Sequence, residues 1–473
     1  MSGIDTILNI KEEVLKGITP SEEERRKINR IASEILSTVN NIIKERGYEK
    51  IIKAEFEGSY AKDTWLSGEV DLDLFLLFDA SVNIQELREI GVEIGKKAGY
   101  MLKSTPIEQY ATHPYIQFYY DGIKIEIIPA YRVSSADKIM TPVDRTPFHT
   151  SYVKKKISEN PQLKKEIRIL KKFLKGIEVY GAEIKIGGFS GYLTELLAIH
   201  YKSFENVLLA AKNWVPWHVF IDISQHYRGR DTKDLMKYFN SPLIVIDPVD
   251  KNRNAAAAVT LKKLSEFIIA SKSFLLEPSI KYFYPQTLNI DHERVRYELA
   301  RRQIVSIKVD TPKNVNEEIL WGQLKRIKSS LFRIMESNKL KVFDSTIWVS
   351  DDFIVLLFEL ERLNFPPLEE HIGPPLYSKN LRDFLAKYNR DKNVVGPFIK
   401  DSRPVVLRKP RYNNVVEVIS EYLPKIKMSK DLSTKFKDSL EILTREKIYK
   451  YCSNSNFCLF LQKWLTRKFP WIY

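Results

Sequence analysis

The chain has 473 residues and is 44% apolar, with 75 Lys+Arg against 60 Asp+Glu for a formal net charge of +15. That length suits about three domains with real cores, which excludes a disordered tail protein, and the charge suits a polyanionic partner, although Lys-rich thermophile proteins carry such charge without binding nucleic acid. Two cysteines, Cys452 and Cys458, exclude a disulfide framework or a metal knuckle; no run reaches 18 apolar residues and Met-Ser-Gly-Ile-Asp is no secretory signal, so no membrane span and a cytoplasmic protein are expected.

Thr19-Pro20-Ser21-Glu22-Glu23-Glu24 predicts a helix start, with a cap, a proline at the first position and an acidic first turn. Ile28, Ile31, Ile35, Val39 and Ile42 continue it, Gly47 stops it, and its apolar face is expected on a sheet. Phe56-Glu57-Gly58-Ser59 ends a strand in a turn, and Val70-Asp71-Leu72-Asp73-Leu74-Phe75-Leu76 follows as the next strand. Side chains alternate along a strand, so Asp71 and Asp73 share one face about 6.5–7 Å apart while Val70, Leu72, Leu74 and Leu76 bury the other. A helix spans Asn83 to Gly99, then a strand runs from Tyr115 to Tyr120. Asp121-Gly122 makes a two-residue hairpin turn, and the return strand Ile123-Lys124-Ile125-Glu126-Ile127-Ile128 is expected to end at Pro129.

The first domain is expected over 1–150 and a helical one over 151–285, with helices at 162–175, 190–203 and 254–274. Ser190 reads as a helix cap rather than a nucleophile. Asp247-Pro248-Val249-Asp250 reads as a loop, and Ala255 to Ala258 as the start of a helix. Glu277-Pro278 to Pro285-Gln286 is the linker to a third part over 286–440. There, strands at 303–309, 341–349, 353–359, 404–408 and 414–419 with helices Asn314–Asn338 and Leu381–Tyr388 follow a β-α-β-β-α-β order, expected of a ferredoxin-like or RNA-recognition-like module. The tail, 441–473, mixes bases with aromatics, a pattern that serves either base stacking or helix core with a basic rim.

Two carboxylates side by side repel and resist burial unless cations offset the cost, and hard oxygens of this kind suit Mg²⁺ or Mn²⁺. Glu126, an acid on an apolar strand, supplies a third ligand; its alternative is a surface pair with Lys124. Gly58 permits close backbone approach to a ligand, and Ser59 offers a hydroxyl to phosphate oxygens. Two ions about 3.5–4 Å apart would activate a hydroxyl and hold a triphosphate, so no strong side-chain base is required. Arg253 has five donors for a base edge, against a surface pair with Asp250. Arg168, Lys171, Lys172 and Lys175 cluster on one side of a helix, which alone reads as a solvated face; Tyr180 alone reads as core, and His149 as polar surface on a loop.

Together, Gly58-Ser59 and Asp71-Leu72-Asp73 resemble the polymerase-β-like nucleotidyltransferase superfamily. Gly58-Ser-Tyr-Ala-Lys-Asp-Thr-Trp-Leu-Ser-Gly68, Val143-Asp-Arg-Thr-Pro-Phe-His149, Tyr180-Gly-Ala-Glu183, Gly188-Phe-Ser-Gly-Tyr-Leu193 and Asp247-Pro-Val-Asp250 with Arg253-Asn254 are similar to archaeal, class I CCA-adding tRNA nucleotidyltransferases. The match runs from about residue 50 to 260; beyond 290 His371-Ile-Gly-Pro-Pro375 is its best fragment. The resemblance implies an α+β multidomain chain: a nucleotidyltransferase mixed sheet, a helical central domain and α/β C-terminal tRNA-binding parts. It implies addition of C, C and A to tRNA from CTP and ATP, with Asp71, Asp73 and Glu126 holding two Mg²⁺. It also implies Ser59 and Lys62 near the triphosphate, His149, Lys171 and Tyr180 on ribose and phosphates, Arg253 at the base, and His113 and Arg145 in matching segments. The family's third carboxylate is commonly Asp, here Glu126, and the basic residue after the glycine is often Arg, here Lys62. A rival product is an A-tail or oligoadenylate; a rival class is a non-catalytic RNA-binding protein on the same fold. An oligomer is compatible with all of these.

Overall fold

The computed structural model describes residues 3–110, 113–286, 288–313 and 315–472. They form two compact units, one over residues up to 286 joined by 469–472, the other over 288–468.

In the first unit, α1 (Gly3–Ile18) precedes α2 (Glu22–Arg46), β1 (Ile51–Glu57), α3 (Gly58–Lys62) and β2 (Asp71–Asp79). Then come α4 (Ile84–Met101), β3 (Ile107–Tyr110), β4 (Pro114–Tyr120) and β5 (Ile123–Arg132). The cap of α2 is Ser21, whose side chain accepts from the Glu24 N–H, rather than Thr19; Pro20 stands outside the helix. Five strands make one sheet in the order β1-β2-β5-β4-β3, antiparallel except for the central β2–β5 pair. Leu72, Leu74, Leu76, Ile125 and Ile127 bury one face against Ile31, Ile35, Val39 and Ile42 of α2 and Ile94 and Ala98 of α4. Gly91, Gly95 and Gly99 let α4 lie close, since a Cβ at Gly91 would stand 2.6 Å from Pro129 and one at Gly95 2.5 Å from Ile116.

The strand β5 does not stop at Pro129. It continues to Arg132, paired with β2 alone, because β4 pairs with it only up to Ile127. Proline removes a donor from the side that has no ladder neighbour, which an edge tolerates. The Asp121-Gly122 turn has positive φ at both positions, 49° and 79°, as a type I′ hairpin requires.

Next come α5 (Thr146–Glu159), α6 (Leu163–Gly176), α7 (Gly191–Tyr201), α8 (Phe204–Ala211), β6 (Val219–Asp222), α9 (Thr232–Phe239), β7 (Leu243–Asp247), β8 (Asp250–Asn254) and α10 (Leu261–Leu276). The expected helix at 254–274 starts later: Thr260 caps α10 by accepting from Lys263 N–H, while 250–254 pairs with β7. A small β6-β7-β8 sheet thus stands among the helices. Phe173, Phe204, Phe267, Phe274 and Phe283 knit α6, α8 and α10 together, and Trp471 stacks on Tyr282 at 5.3 Å.

The second unit contains α11 (His292–Arg301), β9 (Gln303–Asp310), α12 (Glu317–Ser337), β10 (Val342–Val349), β11 (Phe353–Leu360), β12 (Glu369–Ile372) and α13 (Leu381–Tyr388). It closes with β13 (Val394–Lys400), β14 (Arg403–Arg408), α14 (Val415–Tyr422), α15 (Lys430–Asp438), β15 (Glu441–Thr444) and α16 (Ser455–Thr466). Its main sheet, β10-β11-β9-β15, is antiparallel and has the strand order of a ferredoxin-like module, with the β12-β14-β13 sheet as an insertion. The fourth strand is β15, not 404–408. The stretch 414–419 is helical: Asn414 caps it through the Glu417 N–H, and Val415, Val418 and Ile419 bury at helical spacing. The expected start of α12 at Asn314 lies outside the described residues.

Both faces of the main sheet are covered. Ile307, Leu356 and Phe358 pack under α12 and α14, whereas Ile304, Val355 and Leu357 pack against Leu299, Ile448, Phe457 and Leu461. An RNA-recognition module stacks bases on an open sheet face; here that face is core, which corrects the second half of the analogy. The aromatics of the tail follow suit: Tyr451 and Phe457 are buried, and Phe460 and Trp464 pack against the same cluster. Among the described residues no helix is long and apolar enough to cross a membrane.

Candidate active site

The alternation along β2 sets Asp71 and Asp73 on the sheet face away from α2, and the parallel register places Lys124 opposite Asp71 and Glu126 opposite Asp73. The acids therefore lie in one row because the hairpin at Asp121-Gly122 fixes which residues of β5 share their face. Gly58 closes the row from above. Its φ is +67°, and a Cβ there would stand 2.0 Å from Asp73 Oδ2, so glycine is required both by conformation and by contact. The expected Gly58-Ser59 turn is the first step of the short helix α3.

Burial pushes the Asp73 carboxyl up to about 7, and the charges of Glu126 and Asp71 add to the push against Lys124 and Lys62. Lys124 lies between the other two acids, Nζ 3.1 Å from Asp71 Oδ2 and 3.2 Å from Glu126 Oε1. Burial alone would lower the Lys124 ammonium, but the two carboxylates outweigh it and hold it above its ordinary value. Both readings of Glu126 meet here: it shares a row with Asp73, and it pairs with Lys124. Among the described residues no three His, Cys, Asp or Glu side chains are already gathered as a metal cluster.

A cavity of about 300 Å³ opens beside the row, lined by Gly58, Ser59, Lys62, Asp71, Asp73, Lys171, Tyr180 and Tyr192 among others. It is at the small end of the range for ligand cavities. Its far wall is built from α6 and α7. Lys62 is 8% exposed and its Nζ lies 2.6 Å from Oε2 of Glu195, which is 1% exposed. Glu195 also accepts from the Thr64 hydroxyl at 2.8 Å. Lys171 donates to the Thr64 carbonyl at 3.0 Å, and burial lowers it to about 8, with Lys62, Lys175 and Arg168 pushing the same way against Glu195. Arg168, 2% exposed, donates to the Trp65 carbonyl and to Asp63. The basic side of α6 is thus no solvated face: Arg168 and Lys171 are buried where the helix packs on the segment after α3. Burial raises the Tyr180 hydroxyl well above its ordinary value, with Glu195 and Glu183 adding to it.

His149 does not sit on a loop. Asp144, fully buried, accepts from the Tyr131, Met140 and Thr141 N–H groups and so ties β5 to the start of α5. His149 falls in the first turns of that helix and stacks on Tyr192 at 3.8 Å. Both reach Asp247, at the end of β7. Asp247 Oδ2 takes His149 Nε2 at 2.9 Å and Arg253 NH1 at 2.8 Å; Oδ1 takes the Tyr192 hydroxyl at 2.9 Å and the Val249 N–H at 3.1 Å. Burial alone would raise Asp247, but His149, the Val249 N–H and Arg253 outweigh it and hold it at about 2. Burial lowers His149 despite Asp247, which favours the neutral ring. Arg253 stands on β8 and pairs with Asp247; Asp250 pairs with Arg145 at 2.9 Å instead. His113 is buried and its Nε2 contacts the Pro129 carbonyl, a place inside the sheet. Tyr192 lines the cavity and binds Asp247, so it joins the acid row's cavity to the His149–Arg253 cluster.

Three family models cover most of the chain in order: a nucleotidyltransferase domain at 36–149, the second domain of tRNA nucleotidyltransferases at 165–284 and the C-terminal domain of CCA-adding enzymes at 301–445. The CCA-adding enzyme of Pyrobaculum islandicum is 35% identical, over 89% of this chain and 95% of its own. The chain belongs to the CCA-adding enzyme family. The enzymes of Methanocaldococcus jannaschii (34%, over 88% of this chain and 90% of that one) and Sulfurisphaera tokodaii (36%, over 93% and 96%) agree. A solved structure of the Cid1 poly(U) polymerase overlays with a TM-score of 0.46 at 14% identity, over 58% of this chain and 96% of that one. Within this CCA-adding enzyme, Glu195, Asp247, Tyr192 and Lys124 escaped the sequence reading as site residues. Glu195 and Asp247 did leave a trace, each an acid in or ending an apolar run.

Proposed function

We propose that the protein adds C, C and A to the 3′ end of tRNA from CTP and ATP, without a nucleic-acid template. The observation that supports this most is the row of Asp71, Asp73 and Glu126 beside a cavity that also collects Ser59, Lys62, Lys171 and Tyr180. The donor set suits divalent ions: of three hard carboxylates, Asp71 and Glu126 already draw an ammonium between them, and Asp73 is pushed up to about 7 by burial, with the other two acids adding to it. Asp71, Asp73 and Glu126 would hold two Mg²⁺, with Mn²⁺ as a substitute. Bound there, such ions supply the Lewis acidity that activates a 3′-hydroxyl and neutralises a pyrophosphate leaving group.

The protein's own part is placement. Gly58 and Ser59 bring backbone and hydroxyl close to the triphosphate, and Lys62 and Lys171 supply positive charge from a dry wall where each charge counts for more. Tyr180 and His149 are the ribose contacts in this reading. Arg253 makes one side-chain hydrogen bond among the described residues, to Asp247, which leaves the rest of its fork for cytosine or adenine edges. The third carboxylate being Glu126 lengthens one arm of the site without changing its ligand class.

Incubating tRNA that lacks its 3′ CCA with CTP, ATP and Mg²⁺, then sequencing the product ends, tests this. Ordered addition of C, C and A followed by a stop is expected. An A-tail of variable length would replace the reading with that of a poly(A)-type polymerase.

A further inference from the structure

Lys124 has no part in the chemistry set out above, yet it is the cation closest to the acid row. It stands opposite Asp71 in the parallel register and two residues before Glu126, so β-strand alternation alone aims it at the face the acids occupy. Its Nζ is 3.1 Å from Asp71 Oδ2 and 3.2 Å from Glu126 Oε1. The lysines that line the cavity are committed elsewhere: Lys62 to Glu195, Lys171 to the Thr64 carbonyl and Lys175 to Glu69. The two carboxylates that Lys124 neutralises are two of the three read above as metal ligands, so ammonium and divalent ion compete for the same oxygens.

We propose that Lys124 is a tethered counter-ion of the carboxylate row, which holds Asp71 and Glu126 when no divalent ion is bound and withdraws when one enters. Metal binding is then an exchange of one cation for another. The lysine keeps the acids compatible with the fold in the empty state and weakens the apparent metal affinity by the cost of its own displacement. The side chain is 28% exposed, so a path to water exists for the displaced ammonium. Removing the charge should leave the empty row repulsive and the filled row relieved of a neighbouring cation; both effects tighten metal binding.

This rests on the reading of Asp71, Asp73 and Glu126 as metal ligands, and the test separates the two. Mn²⁺ binding to the full chain without nucleotide is measured from the spin-resonance signal of free Mn²⁺, for wild type, Lys124→Met and Lys124→Arg, with thermal melting of each in chelator and in Mn²⁺. The apparent Kd of Lys124→Met should fall about 10-fold, the scale of one partly exposed charge pair beside a multiply charged site. Its melting point should drop in chelator and recover in Mn²⁺, while Lys124→Arg stays close to wild type. An unchanged or weaker Mn²⁺ affinity in Lys124→Met, or a tightening equally present in Lys124→Arg, overturns the counter-ion role. Absence of Mn²⁺ binding in wild type and both variants overturns the metal reading and this inference with it.

Discussion

Replacing Asp247 by Asn leaves the shape of the site intact and removes its charge. Asp247 is fully buried and receives four donors, two on each oxygen. An amide can keep the Tyr192 and Val249 bonds on its remaining oxygen, but it then presents an NH₂ to Arg253 NH1, which can only donate, and to His149 Nε2, which accepts only after the ring changes tautomer. Hydrogen bonds to a charged group contribute about 1.5–3 kcal/mol each. Arg253 is 34% exposed and partly rehydrates once released, so the stability loss should sit near the lower end, about 2–3 kcal/mol. The functional loss is separate. A well-held arginine fork discriminates between bases by about 1–3 kcal/mol, or roughly 5- to 150-fold. Asp247→Asn should therefore narrow the ratio of kcat/KM for CTP over ATP on a tRNA awaiting its first C, by roughly 30-fold at the middle of that range. Arg253→Lys should do the same with a smaller stability change. The assay is steady-state incorporation of labelled CMP and AMP, with thermal melting in parallel. If Asp247→Asn melts lower yet keeps its base preference, Asp247 supports the fold only and Arg253 reads no base through it.

Lys171 gives the expected pH dependence. Its ammonium is held at about 8, below the value of about 10.4 for a free lysine. The folded state therefore binds fewer protons than the unfolded between those values; the stability cost is full below about pH 8 and fades as pH rises towards 10.4. Lys171→Met should raise stability at pH 7 by about 1–3 kcal/mol, seen by urea unfolding. The KM for CTP should rise as pH passes about 8 in the wild type, where the ammonium loses its proton, and Lys171→Met should have a high, flat KM. Gly58→Ala should act on catalysis more than on folding. The added Cβ meets the end of the Asp73 side chain, 2.0 Å from its Oδ2, so the carboxylate moves. Forcing alanine to positive φ costs about 1–2 kcal/mol of stability, whereas turnover should fall by about 100-fold or more; equal losses in both, from melting and single-turnover rates, would remove the close-approach argument.

Much of the acid row was legible because strand periodicity is local. Asp71 and Asp73 share a face whatever the rest of the chain does, and Asp121-Gly122 fixes the face of Glu126. What could not be read is what distant segments bring together. Lys62 and Glu195 meet across 133 positions, and Asp247 gathers partners from α5, α7 and β8; no spacing rule encodes such pairs. Arg168 and Lys171 looked solvated because one helix face was already apolar, and only the segment after α3 reveals that the other face is covered too. His149 was misplaced on a loop, and the strand that carries Arg253 went unread, for a related reason. Thr146-Pro147 opens a helix only because the buried Asp144 anchors the chain just before it, and the short strand at 250–254 exists only because β7 offers it a partner. In the second unit, Val415-Val416-Glu417-Val418-Ile419 satisfies strand and helix patterns alike, and the Asn414 cap decides between them.

The central claim is that the three carboxylates carry the transfer of a nucleotide to RNA, not merely the fold. Single-turnover addition of CMP to tRNA lacking its CCA, measured for Asp73→Asn beside wild type with tRNA affinity followed in the same samples, tests it most directly. Loss of transfer by about 1,000-fold or more with tRNA affinity unchanged is the predicted result. Transfer at the wild-type rate would contradict the account.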